Sequence, residues 1–368
     1  MIRGTGGIDL ECLSRPSAPF EMNAGIAYAL LGAALFGAST PIAKVLVGEI
    51  GPLMLAGLLY AGSGLGLGLW MLLRRWLRPV VGRPGLAAAD YKWLAGAVVS
   101  GGVIGPVFLM LALSAASAST ISLLLNLEGV FTALLAWFVF RENFDRRVLL
   151  GMLLIVCGGV LLSWPSGGIS TSLPALAAAG ACLCWALDNN LTRKISAGDS
   201  VQIAGIKGLA AGTVNLCASV AFGGTRPPLE SALAASVVGF FGYGVSLALF
   251  VVALRLLGTA RTGAYFATAP FIGAAASFVL LGEVPDAVFW LAATLIAAGV
   301  VLHLTERHRH LHRHDALAHD HAHTHDEHHR HDHDFAWDGT EPHSHAHAHV
   351  HMSHSHEHYP DIHHRHGH

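Results

Sequence analysis

Histidine is absent from the first 302 residues of this 368-residue chain, and all 25 histidines lie at or after His303. Charge is scarce as well. Only 12% of residues are Asp, Glu, Lys or Arg, against about 25% in ordinary soluble domains. With 53% hydrophobic residues overall, the front portion cannot be a soluble globular enzyme or a nucleic-acid binder. Cysteine is sparse. The five are Cys12, Cys157, Cys182, Cys184 and Cys217, with no CxxC spacing. Cys182 and Cys184 lie two apart, about 200° around a helix, so they read as small apolar residues rather than metal ligands. The first 21 residues lack an apolar run and carry Asp9, Glu11 and Glu21. No signal peptide is expected there, and the first apolar segment is retained as a span.

What is present falls into two unlike pieces. The first 302 residues hold 17 Lys/Arg against 13 Asp/Glu, a formal +4, and the last 66 hold 5 against 11, a formal −6 with neutral histidine. Ten apolar segments can be marked in the front piece, near 24–47, 53–73, 91–113, 117–140, 147–164, 174–195, 201–222, 232–255, 260–282 and 287–304. Each is near the roughly 20 residues a spanning helix requires. Lys and Arg in the loops set the orientation. With the N-terminus in the cytoplasm, twelve fall inside: Arg74, Arg75, Arg78, Arg83, Lys92, Arg141, Arg146, Arg147, Arg193, Lys194, Arg255 and Arg261. One, Arg226, falls outside. An even number of spans returns the C-terminus to the cytoplasm.

The chain also repeats itself. A shift of 141 aligns Glu142 with Glu283 and Gly129 with Pro270, and a shift of 149 aligns Phe36 with Trp185 and Lys44 with Arg193. Five spans separate the copies, so they run in opposite directions. Inverted-topology repeats of this kind build many secondary transporters. The expected fold is an all-α integral membrane protein, with ten transmembrane helices as two inverted five-helix repeats over 24–164 and 174–304. A cytoplasmic segment, 1–23, precedes them. A disordered His-rich tail, 305–368, follows.

Those halves carry a first helix ending at Lys44, a fourth-helix run from Asn126 through Glu128 and Gly129 to Trp137 that closes in Arg141-Glu142, and a ninth-helix run from Ala269-Pro270 that closes in Gly282-Glu283. With these features the chain resembles the EamA-type branch of the drug/metabolite transporter superfamily. The resemblance covers nearly all of the membrane portion and none of the tail. It implies a permease or exporter of small metabolites, with both termini cytoplasmic and a central cavity between the halves. The family's fourth helix often reads Glu-Pro where this chain has Glu128-Gly129.

Charged and polar residues within spans mark function by default, because each costs several kcal/mol unless it meets a cavity or a partner. Glu128 is the deepest, and its helix face also carries Ser122, Asn126 and Thr132. It reads as a coupling-proton or substrate site; the alternative is a helix–helix hydrogen bond or a pair with Lys207 or Lys44. Asp188-Asn189-Asn190 cannot all face lipid, since neighbours on a helix are about 100° apart. They read as cavity lining, aligned with Ser39-Thr40-Pro41, or as structural hydrogen bonding. Lys207 lies two turns into its helix, suited to a cavity role or a pairing with Asp188. Lys44 can serve function or snorkel to headgroups. Arg255 and Arg261 are topology anchors, although Arg261 with Tyr265 and Phe266 also suggests a gate. Gly62, Gly64, Gly66 and Gly68 read as close helix packing. Trp70, Trp76 and Trp93 read as the aromatic belt.

The tail alternates with period two, through His319, His321, His323 and His325 and again through His343, His345, His347, His349 and His351. Imidazoles at that spacing suit Zn²⁺, Ni²⁺, Co²⁺ or Cu²⁺. Full protonation, with a model-peptide midpoint near about 6.5, would swing the tail from −6 to +19, so pH sensing is an alternative to metal binding and to a tolerated solvated tail. The expectation for the whole is an inner-membrane secondary transporter, exporting a small metabolite, amino acid or drug by alternating access. It requires no cofactor and has the lipid bilayer and a small molecule as partners, with homodimerisation open and no nucleic acid. The main alternative is a divalent-metal exporter with the tail as collector. Against it, the first 302 residues hold no histidine and only two deep carboxylates.

Overall fold

A computed structural model describes residues 18–77, 86, 88–140, 146–163, 173–195, 199–257 and 259–304 of the membrane portion. In the tail it describes 309–314, 318–323, 343–348 and 352–357. Cys12, most of the 74–90 loop, the Arg141-Glu142 pair, His325, His349 and His351 lie outside the described residues. The side chains of Arg193, Arg255, Arg261 and the remaining tail histidines are also outside the description.

Between 18 and 304 the described residues are mainly helical. α1 spans Ala18–Val47 and α2 Pro52–Leu77. A single helical run then contains α3 (Tyr91–Ala97), a π-helical segment (Val98–Ile104) and α4 (Gly105–Ala115). Next come α5 (Ala118–Leu124), α6 (Leu127–Phe140), α7 (Arg146–Ser163), α8 (Leu173–Arg193) and α9 (Ser200–Ala221). A second run holds α10 (Leu229–Gly239), a π segment (Phe240–Val245) and α11 (Ser246–Leu257), followed by α12 (Thr259–Phe266), α13 (Ala269–Leu281) and α14 (Ala287–Leu304). Among the described residues, seven helical runs are long and apolar enough to cross a membrane, and Ala269–Leu281 and Ala287–Leu302 are apolar but shorter. This is a multi-pass membrane protein.

Two expected helices are interrupted. The 117–140 segment breaks at Leu125-Asn126, between α5 and α6, and the 260–282 segment breaks at Ala267-Thr268, between α12 and α13. The interruptions recur at matched positions. α4 begins at Gly105 and α11 at Ser246, 141 residues later, and the two breaks are 142 apart. Packing recurs too. α1 lies against α11 and α13, and α8 lies against α4 and α6, while α2 packs most heavily on α9 and α7 on α14.

The α2 glycines explain part of that packing. A Cβ on Gly64 would run into the backbone of Gly208 and Leu209, and one on Gly62 into the backbone of Ser236. Only glycine permits helices this close. Large apolar side chains such as Leu72, Leu69 and Val279 remain exposed. That pattern is inverted for a water-soluble protein and normal for one whose outer solvent is lipid. Trp70 and Trp76 are exposed and Trp93 is half-buried.

The tail forms a separate unit, 306–368. Its backbone pairs antiparallel in two places: β1 (Arg309–His314) with β4 (Met352–Glu357), and β2 (Ala318–His323) with β3 (His343–Ala348).

Candidate functional site

The break between α5 and α6 places the first functional side chain. Two residues depart from the helical ladder, and their neighbours repair it. Asn126 Nδ2 donates to the Leu123 carbonyl at 2.9 Å. The Cys182 thiol, from α8, approaches the Leu124 and Leu125 carbonyls at 3.6 and 3.8 Å. α6 restarts at Leu127, so Glu128 falls in its first turn, where the helix dipole favours a carboxylate. Glu128 is half-buried, and its Oε1 accepts from Asn189 Nδ2 at 2.7 Å. Ser122 Oγ and Thr132 Oγ1, on the same α5–α6 run, are buried with no hydrogen-bond partner among the described residues.

The polar triplet on α8 splays to three different partners, as its angular spacing requires. Asp188 meets Lys207 of α9, whose Nζ lies 2.5 Å from Oδ1 and 2.7 Å from Oδ2. Both residues are buried, and Thr192 Oγ1 adds a donor to Asp188 Oδ1 at 2.8 Å. Asn189 is exposed and turns to Glu128. Asn190 is buried and bonds back to the Ala186 carbonyl at 2.8 Å.

The first π segment packs beside them, against α8 and α9. Widening a helix frees carbonyls, which must find other donors. Gly101 O accepts from Tyr60 Oη at 2.9 Å and from Trp185 Nε1 at 3.0 Å. Asn215 Nδ2 reaches Gly102 O at 3.3 Å and Val103 O at 3.4 Å. Gly101 packs directly against Asp188, and a Cβ there would overlap its carboxylate. An aromatic group adjoins this segment. Phe36 contacts Trp185, Tyr243 and Phe266 with ring centroids 6.2, 5.8 and 5.9 Å apart, and Tyr60 stacks near Tyr243 at 5.5 Å.

Glu128, Asn189, Asp188 and Lys207 are therefore brought together on α6, α8 and α9, with Asn126 at the break behind them. Lys44 belongs elsewhere. Its Nζ donates to the Leu113 carbonyl at 2.6 Å, placing a cation at the C-terminal end of α4. Tyr265 lies at the end of α12, where its carbonyl accepts from Thr268 Oγ1 at 2.6 Å. Arg261 is on the same helix, and its side chain is outside the description. Among the described residues no group of three or more His, Cys, Asp or Glu could hold a metal ion. Tyr60, Trp185, Asn215 and Cys182 escaped sequence reasoning. Aromatic and small residues in apolar segments carry no signal that separates a contact between helices from lipid contact.

A further pair of contacts joins the two sequence halves away from this cluster. Gly282 closes α13 with φ +65°, and Glu283 follows it. The Glu283 carboxylate accepts from Ala118 N at 2.8 Å and Ser119 N at 2.9 Å, capping α5.

The EamA-like transporter family matches residues 23–164 and 172–305. An uncharacterized transporter from Methanothermobacter thermautotrophicus is 30% identical over 263 residues, 67% of this chain and 76% of that one. A crystal structure shares the fold at a TM-score of 0.54 and 22% identity, over 78% of this chain and 96% of the other.

Proposed function

This chain belongs to the EamA-like transporter family, and on that premise we propose that it is an alternating-access secondary transporter that exports a small metabolite, amino acid or drug across the inner membrane. In this reading ten spans form two inverted five-helix halves, with both termini in the cytoplasm. The matched π segments, matched helix breaks and exchanged packing of α1 and α8 support that arrangement. Discontinuous helices at equivalent places in two repeats are where such transporters bind substrate and coupling ions.

The single observation that carries the reading is the Glu128–Asn189 contact beside the Asp188–Lys207 pair. Here α6 of one half meets α8 of the other. Glu128 is the coupling group. A carboxylate in that place exchanges a proton as the cavity opens to one side and then the other. Reconstituted into proteoliposomes, wild-type protein carries substrate in response to a pH gradient, whereas Glu128→Gln does not respond. Unchanged pH-driven flux in Glu128→Gln removes the residue from the mechanism.

The tail is proposed to bind divalent metal on the cytoplasmic side without forming part of the transport path. The supporting observation is its density of alternating histidines, set against a membrane portion in which the described residues offer no multidentate site.

A further inference from the structure

The charge inventory around Glu128 narrows the substrate. Asp188 and Lys207 compensate each other, with both carboxylate oxygens on one ammonium. Glu128 has an uncharged partner, the Asn189 amide. Among the described residues no cation pairs with it, although Glu128 and Asn189 both keep accessible surface. A desolvated carboxylate requires a countercharge, so one negative charge at this junction awaits a proton or a cation.

The neighbouring rings select among cations. Trp185 is one helical turn before Asn189 on α8, and Tyr60 adjoins Gly101, which packs directly on Asp188. The polar tips of Trp185 and Tyr60 are committed to the Gly101 carbonyl. Trp185 is buried, whereas half-buried Tyr60 and Phe36 keep ring surface for apolar and cation–π contact. The unpartnered Thr132 Oγ1, one turn beyond Glu128 on α6, adds a hydrogen-bond acceptor for an ammonium N–H. A ligand carboxylate fares differently. It would set a second negative charge beside Glu128, and the nearby ammonium of Lys207 is already held by Asp188.

We propose that the transported molecule is a monovalent organic cation, an amine or quaternary ammonium with an aromatic or apolar body. Its charge rests on Glu128 and Asn189, and its body rests on the Phe36 and Tyr60 rings. This rests on reading Glu128 as the transport site, and it sets amino acids and carboxylates aside.

Three isosteric probes test it on purified full-length protein in detergent near neutral pH, by isothermal titration. They are phenethylamine, 3-phenylpropionate and phenylalanine: a cation, an anion and a zwitterion on one aromatic body. Phenethylamine binds at least about tenfold tighter than the other two. Glu128→Gln loses at least that factor, and Phe36→Leu loses several-fold. Because the comparison among probes uses wild-type protein alone, it does not depend on a variant folding. If phenylalanine or phenylpropionate binds as tightly as the amine, or none of the three binds, the substrate class is wrong. Where such tighter binding is still lost in Glu128→Gln, the site stands and the class alone falls. Where a folded Glu128→Gln binds every probe as wild type does, both the class and the site fall.

Discussion

Replacing Lys207 by Met leaves the Asp188 carboxylate in place and deletes its countercharge while keeping most of the stem's volume. In the native arrangement both carboxylate oxygens lie within 2.7 Å of the ammonium, and both residues are buried. After the change, Asp188 retains the Thr192 hydroxyl at 2.8 Å. One neutral donor does not replace an ammonium, and breaking a buried pair from one side costs about 3–5 kcal/mol. Removing both charges, as in Asp188→Asn with Lys207→Met, leaves no unpaired ion and is expected to recover most of that loss. Thermal unfolding of the purified protein in detergent, followed by tryptophan fluorescence, reads both variants. Lys207→Met should unfold on the order of 10 °C below wild type, with the double variant between them. A single variant as stable as wild type, or a double variant less stable than the single one, would refute the reasoning that the pair neutralises a buried charge.

Four further outcomes are expected. Gly101→Ala drives a methyl into the Asp188 carboxylate and destabilises the protein by about 1–3 kcal/mol. Gly129→Ala, with nothing within 4 Å of a new Cβ, is neutral or stabilising by up to about 1 kcal/mol; thermal unfolding of the two variants side by side checks the contrast. Glu283→Ala removes two charge-assisted bonds to the α5 N-terminus and costs about 1–3 kcal/mol in the same assay. Removal of residues 305–368 abolishes multi-equivalent Zn²⁺ or Ni²⁺ binding by isothermal titration and leaves flux in proteoliposomes unchanged; lost flux would place the tail in the transport path.

The sequence exposes what is expensive. Glu128, Asp188 and Lys207 stand out because a charge in a span needs a reason, and all three come together in the structure. The pairing of Asp188 with Lys207 follows from chemistry, since the two are the nearest deep opposite charges. The pairing of Asn189 with Glu128, 61 residues apart, depends on α6 crossing α8, which no local pattern encodes. The helix breaks are legible in one half alone. Pro270 announces the break before α13, whereas Leu125-Asn126 carries no proline, and a side-chain amide and a thiol from another helix sustain it. The π segments hide for a similar reason. Glycines at 101 and 102 give no sign of one, because the donors to the freed carbonyls, Tyr60, Trp185 and Asn215, come from other helices.

The recurrence of the scaffold and the placement of the chemistry do not coincide. Under the 141 shift Glu128 corresponds to Ala269, and under the 149 shift Asp188 corresponds to Ser39. The contact of α6 with α8 is thus matched by the contact of α1 with α13, yet the two seams differ in kind. Along α1 and α13, Gly37 packs directly on the Ala269 backbone, and Ser39 bonds within its own helix to the Phe36 carbonyl at 2.6 Å. That seam is neutral and closed. Along α6 and α8 the polar residues bear carboxylates or amides, and Glu128, Gly129 and Asn189 keep accessible surface. α8 is long enough to cross a membrane, at 21 residues, but is not among the runs apolar enough to qualify by composition. Asp188, Asn189 and Asn190 each find a partner in the fold, so the apolarity it lacks reflects the site it carries. A duplicated scaffold in which one seam is sealed and the other polar can keep its packing nearly symmetric while committing charge to one place. Chemistry concentrated on Glu128 and Asp188, with inert residues at their counterparts, is what such a division requires.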